Sequence, residues 1–391
     1  MPVNIALFFR LTFRQFFRSR GTDIRFTPQR RKAMLLWYLV IPIHQFLTVI
    51  SYYLDEIFFR AYRRAEIKAP VFIVGNFRSG SSLLQRLLAR DGRKFSSMNV
   101  AEIYLAPTIT QRKFWGLIRW LDKHLFGARG MRLLQKRDDQ WLDTIQMHKT
   151  GLFTPDEDEG LLILIWATMF LQFVYPLMDE MPPFYRFDED MPPRQRKWIM
   201  GFYRAMIRRH LYLQGEGVTY VAKSPAHSAR IESLYEFFPD ARIIYLARNP
   251  MNLVPSVVNF FRYIWELFGD LLDPDQMNRE IFEQIHYWYR YPVERLKQRS
   301  SEDYRLLLYQ DLVNDLEGVI ENIYSWFGFS ISSQFRQEIK AIVAASKQFE
   351  SDNVFTLKDL GLTEQLIQQE FQYELDYFGF TPELEPSRLP Q

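Results

Sequence analysis

The chain of 391 residues contains no cysteine, which excludes disulfide bonds and thiolate-ligated metal centres. It also lacks any Asn-x-Ser/Thr triplet, so an N-glycosylated lumenal or secreted protein is unsupported. No internal repeat, low-complexity stretch or compelling metal-ligand spacing occurs, and no metal is expected. Net charge is only +3, too little to argue for a nucleic acid partner.

What the chain does have is apolar and aromatic bulk: 48% hydrophobic residues, with 34 Phe, 21 Tyr and 9 Trp. This is enough for one large domain with an accessory segment, or for two domains. Aromatics at this density fill a core or leave surface facing a membrane or an apolar ligand. Charge is uneven. Residues 1–33 carry eight basic side chains against the single acid Asp23, a local excess of seven.

Residues 3–18 place Arg10, Arg14 and Arg18 four apart among Phe and Leu, the pattern of a basic amphipathic helix. Such a helix suits an anionic membrane surface, with arginines at the phosphates and apolar groups dipping inward. The apolar run 34–54 is long enough to span a bilayer, but Pro42, His44 and Gln45 interrupt it. It reads as interfacial, with Trp37, Tyr38, Tyr52 and Tyr53 as anchors, rather than as a single-span anchor. Residues 1–66 are therefore expected to form a membrane-associating helical segment, 67–380 the catalytic domain, and the proline-containing 381–391 an irregular tail.

The stretch Val71 to Leu84 reads as a buried strand, a glycine- and serine-rich turn and an apolar helix. Backbone N–H groups at such a turn, with the positive end of the helix, cradle a phosphate. Gly75-x4-Gly80 imitates the loop of nucleotide-triphosphate enzymes, yet Ser81 stands where that loop carries lysine, and the strong cation is Arg78 within the turn.

Further on, 111–136 is a second basic and aromatic stretch, either membrane-facing or an ordinary helix with cationic stems. Pro155-Asp156-Glu157-Asp158-Glu159 is an acidic cluster at the start of the apolar run 160–175, which reads as a buried or pocket-lining helix. Its carboxylates either favour a helix N-terminus or activate a hydroxyl on a greasy acceptor. Strands at 218–223, 241–247 and 304–309 alternate with helices at 226–238, 250 onward and 312–327. The fold class is α/β, a P-loop-like parallel sheet flanked by helices with an amino-terminal amphipathic helical segment. Ligands bind such sheets at the carboxyl ends of the strands, where Arg78, Lys223, Arg248 and Tyr309 all fall.

Phe77-Arg78-Ser79-Gly80-Ser81-Ser82 resembles the 5′-phosphosulfate loop of sulfotransferases that use 3′-phosphoadenosine-5′-phosphosulfate (PAPS), with serines in place of the usual threonines. Phe238 to Pro250, followed by Ser256 eight residues after Arg248, resembles the family's 3′-phosphate site. The resemblance covers about residues 70–380. It implies PAPS as co-substrate, held by Arg78, Ser79, Gly80, Ser81 and Ser82, with Arg248 and Ser256 on the 3′-phosphate, Tyr309 near the adenine and Lys223 in a matching segment nearby. For the base, Glu102 lies 24 residues after Arg78, similar to the placement of the catalytic glutamate in tyrosyl-protein and heparan sulfotransferases. Glu157, Glu159 and His148 are the alternatives, which only geometry ranks. The expected function is sulfuryl transfer to a hydroxyl of a hydrophobic or lipid-like acceptor, by a cytoplasmic protein peripheral on a membrane. A P-loop-like small-molecule kinase and an inactive membrane-bound scaffold remain as alternatives.

Overall fold

Five short strands, β1 (Val71–Gly75), β2 (Phe95–Ser96), β3 (Thr219–Lys223), β4 (Arg242–Ala247) and β5 (Tyr304–Leu308), form a parallel sheet in the order β2-β3-β1-β4-β5. The computed structural model describes residues 1, 3–17, 27–144, 151–269, 273–346 and 356–384. Side chains of β1 alternate between two cores. Val71 and Ile73 pack with Leu84, Leu88 and Ile244, while Phe72 and Val74 join Tyr245 and Phe238 on the other face. A strand buried on both faces needs apolar residues at every position, which is why these runs do not alternate with polar ones. β1 is central, and the chain departs from it toward β3 on one side and β4 on the other. Crevices therefore open beside its carboxyl end.

The principal helices are α1 (Ile5–Phe17), α2 (Pro28–Phe58), α3 (Ser81–Arg90), α4 (Ile109–Phe126), α5 (Arg129–Thr144), α6 (Pro193–Gln214), α7 (Pro250–Leu267), α8 (Pro274–Leu296) and α9 (Leu316–Phe327). The stretch expected at 111–136 is two helices, because Gly127 terminates α4 in the left-handed region at φ 59°. The apolar run 160–175 is not one helix. A 3₁₀ run covers Asp158–Ile165, Trp166 reverses the chain at φ 54°, and one helical turn follows at Leu171–Val174. The segment is apolar on every side and almost wholly buried, so tertiary packing rather than helical periodicity sets its path. Likewise, 226–238 divides into a 3₁₀ turn, Pro225–Ala229, and a short helix, Ile231–Phe237.

The amino-terminal helices lie against the body of the protein and correct part of the expectation for them. On α1 the arginines face protein acids: Arg14 donates to Asp179 at 2.7 Å and Glu180 at 2.8 Å, and Arg10 pairs with Glu180 at 2.9 Å. Arg18 lies outside the described residues. α2 runs unbroken through Pro42, at the loss of one backbone hydrogen bond. Its polar groups are used inward. Gln45 Nε2 donates to the Leu164 carbonyl at 2.6 Å, and Asp55 accepts from the backbone N–H groups of Ile109 and Thr110 that begin α4. Trp37 and Tyr38 also turn inward, bonding to Tyr175 and Thr12, and Tyr52 stacks on Phe202; of the four expected anchors, Tyr53 is the exposed one. The other side of α2 is exposed and apolar. The helix is long and apolar enough to cross a membrane, yet only 11% of its most apolar window is buried, so it is no core helix.

Candidate functional site

The loop after β1 has a shape that only its own sequence allows. Gly75 adopts φ 141°, and a Cβ there would lie 2.3 Å from the Leu246 carbonyl oxygen of β4, so glycine permits the close approach of the two strands. Arg78 takes φ 64° and Gly80 φ 86°, and the turn they form leads directly into α3. A Cβ on Gly80 would sit 2.8 Å from the Tyr309 ring, which closes over the turn.

Arg78, the pair Arg248 and Ser256, and Tyr309, three regions far apart in the chain, meet here. Arg78 Nε donates to Ser256 Oγ at 3.1 Å, and Arg248 Nη1 donates to the Arg78 carbonyl at 2.7 Å. The Arg248 guanidinium stacks over the Tyr309 ring at 4.4 Å, and Tyr289 donates to the Arg248 carbonyl. Asn249 accepts from the Met251 N–H at 3.0 Å, capping the helix α7 that carries Ser256. Burial, reinforced by the charge of Arg248, lowers the Arg78 pKa to about 10. Such a crowded cation is stabilised by an anion. Ser79 Oγ and the Tyr309 hydroxyl are buried without a hydrogen-bond partner among the described residues.

A cavity of about 210 Å³ adjoins this cradle. Arg78, Gly80, Ser81, Ser82 and Tyr309 line one part; Phe77, Phe170, Phe173, Phe260 and Tyr104 line an aromatic part; Asp156, Glu157 and Lys223 complete it. Lys223, at the end of β3, donates to Glu157 Oε1 at 2.5 Å. Arg248 and Ser256 lie behind Arg78 and are not in the lining. Tyr104 belongs to a π turn, Ala101–Leu105, packed over Gly160. Burial, then the charges of Asp156 and Glu157, push its hydroxyl pKa well up, so it stays a neutral donor.

The acidic cluster is divided by its turn geometry. Asp156 and Glu157 line the cavity, whereas the next two carboxylates enter the core. Asp158 accepts from Tyr203 at 2.5 Å and Tyr220 at 2.7 Å. Glu159 forms a buried two-pronged pair with Arg230 and accepts from Thr168 at 2.6 Å. Glu102 is also placed outside the cavity lining. It braces the π turn, accepting from the Asn99 N–H at 3.1 Å and from Arg112 at 3.3 Å, beside His210, whose pKa burial and then Arg112 depress. His148 lies outside the described residues. Tyr104 and Phe260 were not legible as lining residues. Among the described residues, no group of three or more His, Cys, Asp or Glu could hold a metal ion.

The fold is a parallel sheet with a lysine-free, arginine-bearing turn beside an aromatic cavity, and comparison with known proteins gives its family. The chain belongs to the sulfotransferase family, whose model matches residues 70–333. It is 25% identical over 333 residues to the omega-hydroxy-beta-dihydromenaquinone-9 sulfotransferase of Mycobacterium bovis, covering 82% of this chain and 78% of that one. Its fold resembles the crystal structure of sulfotransferase STF9 from Mycobacterium avium, with a TM-score of 0.73 and 19% identity over 99% of both chains. It also resembles sulfotransferase STF1 from Mycobacterium tuberculosis, with a TM-score of 0.65 and 17% identity, covering 92% of this chain and 90% of that one.

Proposed function

We propose that the protein moves a sulfuryl group from PAPS to a hydroxyl of a hydrophobic or lipid-like acceptor, on the cytoplasmic surface of a membrane. The observation that carries this reading is the two-part cavity, with a cation-and-hydroxyl cradle at one part, an aromatic wall at the other and the Lys223–Glu157 pair in the same lining. A relative named for sulfating a hydroxylated menaquinone supports a greasy alcohol as acceptor.

The chain's own groups fit PAPS. The N–H groups and hydroxyls of Ser79 to Ser82 suit the 5′-phosphate, Arg78 and the buried Arg248 and Ser256 supply donors for phosphate oxygens, and the Tyr309 ring offers an apolar surface near the base. PAPS supplies the activated sulfur. The acceptor oxygen gains a bond to that sulfur as the bond from sulfur to the bridging phosphate oxygen breaks. Glu157 takes the acceptor's proton, and the negative charge that develops on the departing phosphate falls where the cradle's donors lie. Lys223 holds the Glu157 carboxylate at the cavity and adds positive charge beside the reacting groups. Of the three glutamates named from the sequence as candidate bases, Glu102, Glu157 and Glu159, Glu157 is the one in the cavity lining, so it replaces Glu102 as the preferred base.

Calorimetry with adenosine 3′,5′-bisphosphate, followed by incubation with labelled PAPS and a total lipid extract, tests the proposal. Binding of the nucleotide and label in a lipid species are expected. Failure to bind it, or turnover that requires ATP and Mg²⁺ instead, would overturn the reading.

A further inference from the structure

We infer that the acceptor enters the cavity sideways from a lipid leaflet, through the seam between α2 and α4 at Leu105, with its hydroxyl end inside and its tail still in the lipid. This rests on the reading of the site as one that takes a hydrophobic alcohol.

Four elements build the aromatic part of the cavity; the loop after β1 contributes Phe77, and the other three run to α2. The π turn contributes Tyr104, and His44 of α2 lies close to the backbone of the next residue, Leu105. The 166–175 segment contributes Phe170 and Phe173, and the Val174 carbonyl accepts from Arg30 of α2 at 3.1 Å. Helix α7 contributes Phe260, and the carbonyl of its last residue, Leu267, accepts from Gln29 of α2 at 2.9 Å. The inner side of α2 is thus fastened to the elements that form the acceptor wall, along residues 29–44.

Its outer side has no protein partner among the described residues. Leu39, Ile43, Phe46 and Leu47 on α2 and Phe114 and Trp115 on α4 are all exposed, Phe46 by 65%. The stretch 33–54 has no charged residue, while Arg31 and Lys32 precede it, Arg60, Arg63 and Arg64 follow it, and Lys113, Arg119 and Lys123 stand on α4. An apolar band bordered by cations fits the hydrocarbon edge of a leaflet with anionic headgroups. A span of the bilayer does not fit, because one side of α2 is occupied by hydrogen bonds to the domain. Leu105 joins the two surfaces: it is 48% exposed, and its neighbour Tyr104 lines the cavity. An acceptor entering there need never carry its tail through water, which is unfavourable for every methylene exposed.

The test uses the full chain with phosphatidylcholine and phosphatidylglycerol vesicles containing a long-chain fatty alcohol that bears a photoreactive diazirine near its hydroxyl. The label is expected on cavity peptides containing Phe173 and Phe260. In Leu105→Trp, which plugs the seam, cavity labelling is expected to fall about tenfold, as for a gated entry step, with flotation unchanged. Leu105→Ala should keep the labelling, and Phe46→Glu with Leu39→Glu should abolish flotation. Adenosine 3′,5′-bisphosphate binding reports that each variant is folded. Label confined to the outer faces of α2 and α4, or cavity labelling unchanged by Leu105→Trp, would overturn the inference. Loss of nucleotide binding by the parent protein would instead overturn the assigned chemistry and leave the entry route to be judged by the label.

Discussion

Arg78 Nε donates to Ser256 Oγ at 3.1 Å, joining the loop after β1 to the helix after β4. The two loops singled out from the sequence are therefore one physical unit, and the two residues are expected to contribute unequally. Ser256→Ala removes one donor, worth about 0.5–1.5 kcal/mol, so affinity for adenosine 3′,5′-bisphosphate should fall roughly two- to tenfold. Arg78→Ala removes a half-buried charge-assisted donor, and calorimetry should show a loss of about 1.5–3 kcal/mol.

Glu157→Gln keeps the shape of the side chain and removes its basicity. Turnover should fall by about 10²–10⁴, the usual contribution of a general base, with nucleotide affinity within about twofold of the parent. Glu102→Gln should keep most of the turnover, since that carboxylate braces the π turn outside the cavity lining. Single-turnover rates with labelled PAPS decide between the two.

Glu159→Ala should damage the fold rather than the chemistry. It leaves Arg230, which is 1% exposed, without its carboxylate partner. Breaking a buried pair from one side costs about 3–5 kcal/mol. Chemical denaturation should show that loss, with nucleotide affinity retained at temperatures where the variant is folded.

The lowered pKa of Arg78, about 10, gives a signed pH effect. Its charge is complete at neutral pH and is lost as pH rises through that value. A bound phosphate favours the charged form and raises the pKa. Near pH 10 nucleotide binding should therefore take up protons, and affinity should decline above it. Calorimetry in two buffers of different ionisation enthalpy measures the uptake.

Local features were the legible ones. The strand, turn and helix from Val71 to Leu84 could be read because glycine, serine and an apolar run fix backbone shape over a few residues. The parallel sheet followed from alternating strands and helices, and the long apolar helix α2 from its apolar run. Which neighbouring carboxylate serves the site was not legible. Asp156 to Glu159 are equivalent as letters, and only the turn into the 3₁₀ run sends two of them to the cavity and two into the core. Nor could the sequence show that Arg10 and Arg14 meet Glu180 and Asp179, some 165 residues away in the chain.

The sequence by itself determined that a glycine- and serine-rich turn follows a buried strand, that arginine and hydroxyls stand where nucleotide-triphosphate loops carry lysine, and that the chain has no thiol chemistry. Backbone conformation and residue type are short-range properties, and they suffice for those conclusions. Only the tertiary structure decided that Glu157 with Lys223 lines the cavity, that Glu102 and Glu159 act as braces, and that α2 is bonded on one side and bare on the other. Those outcomes depend on which distant side chains meet, because a carboxylate's role is set by whether its partner is an arginine in the core or a lysine at an open cavity.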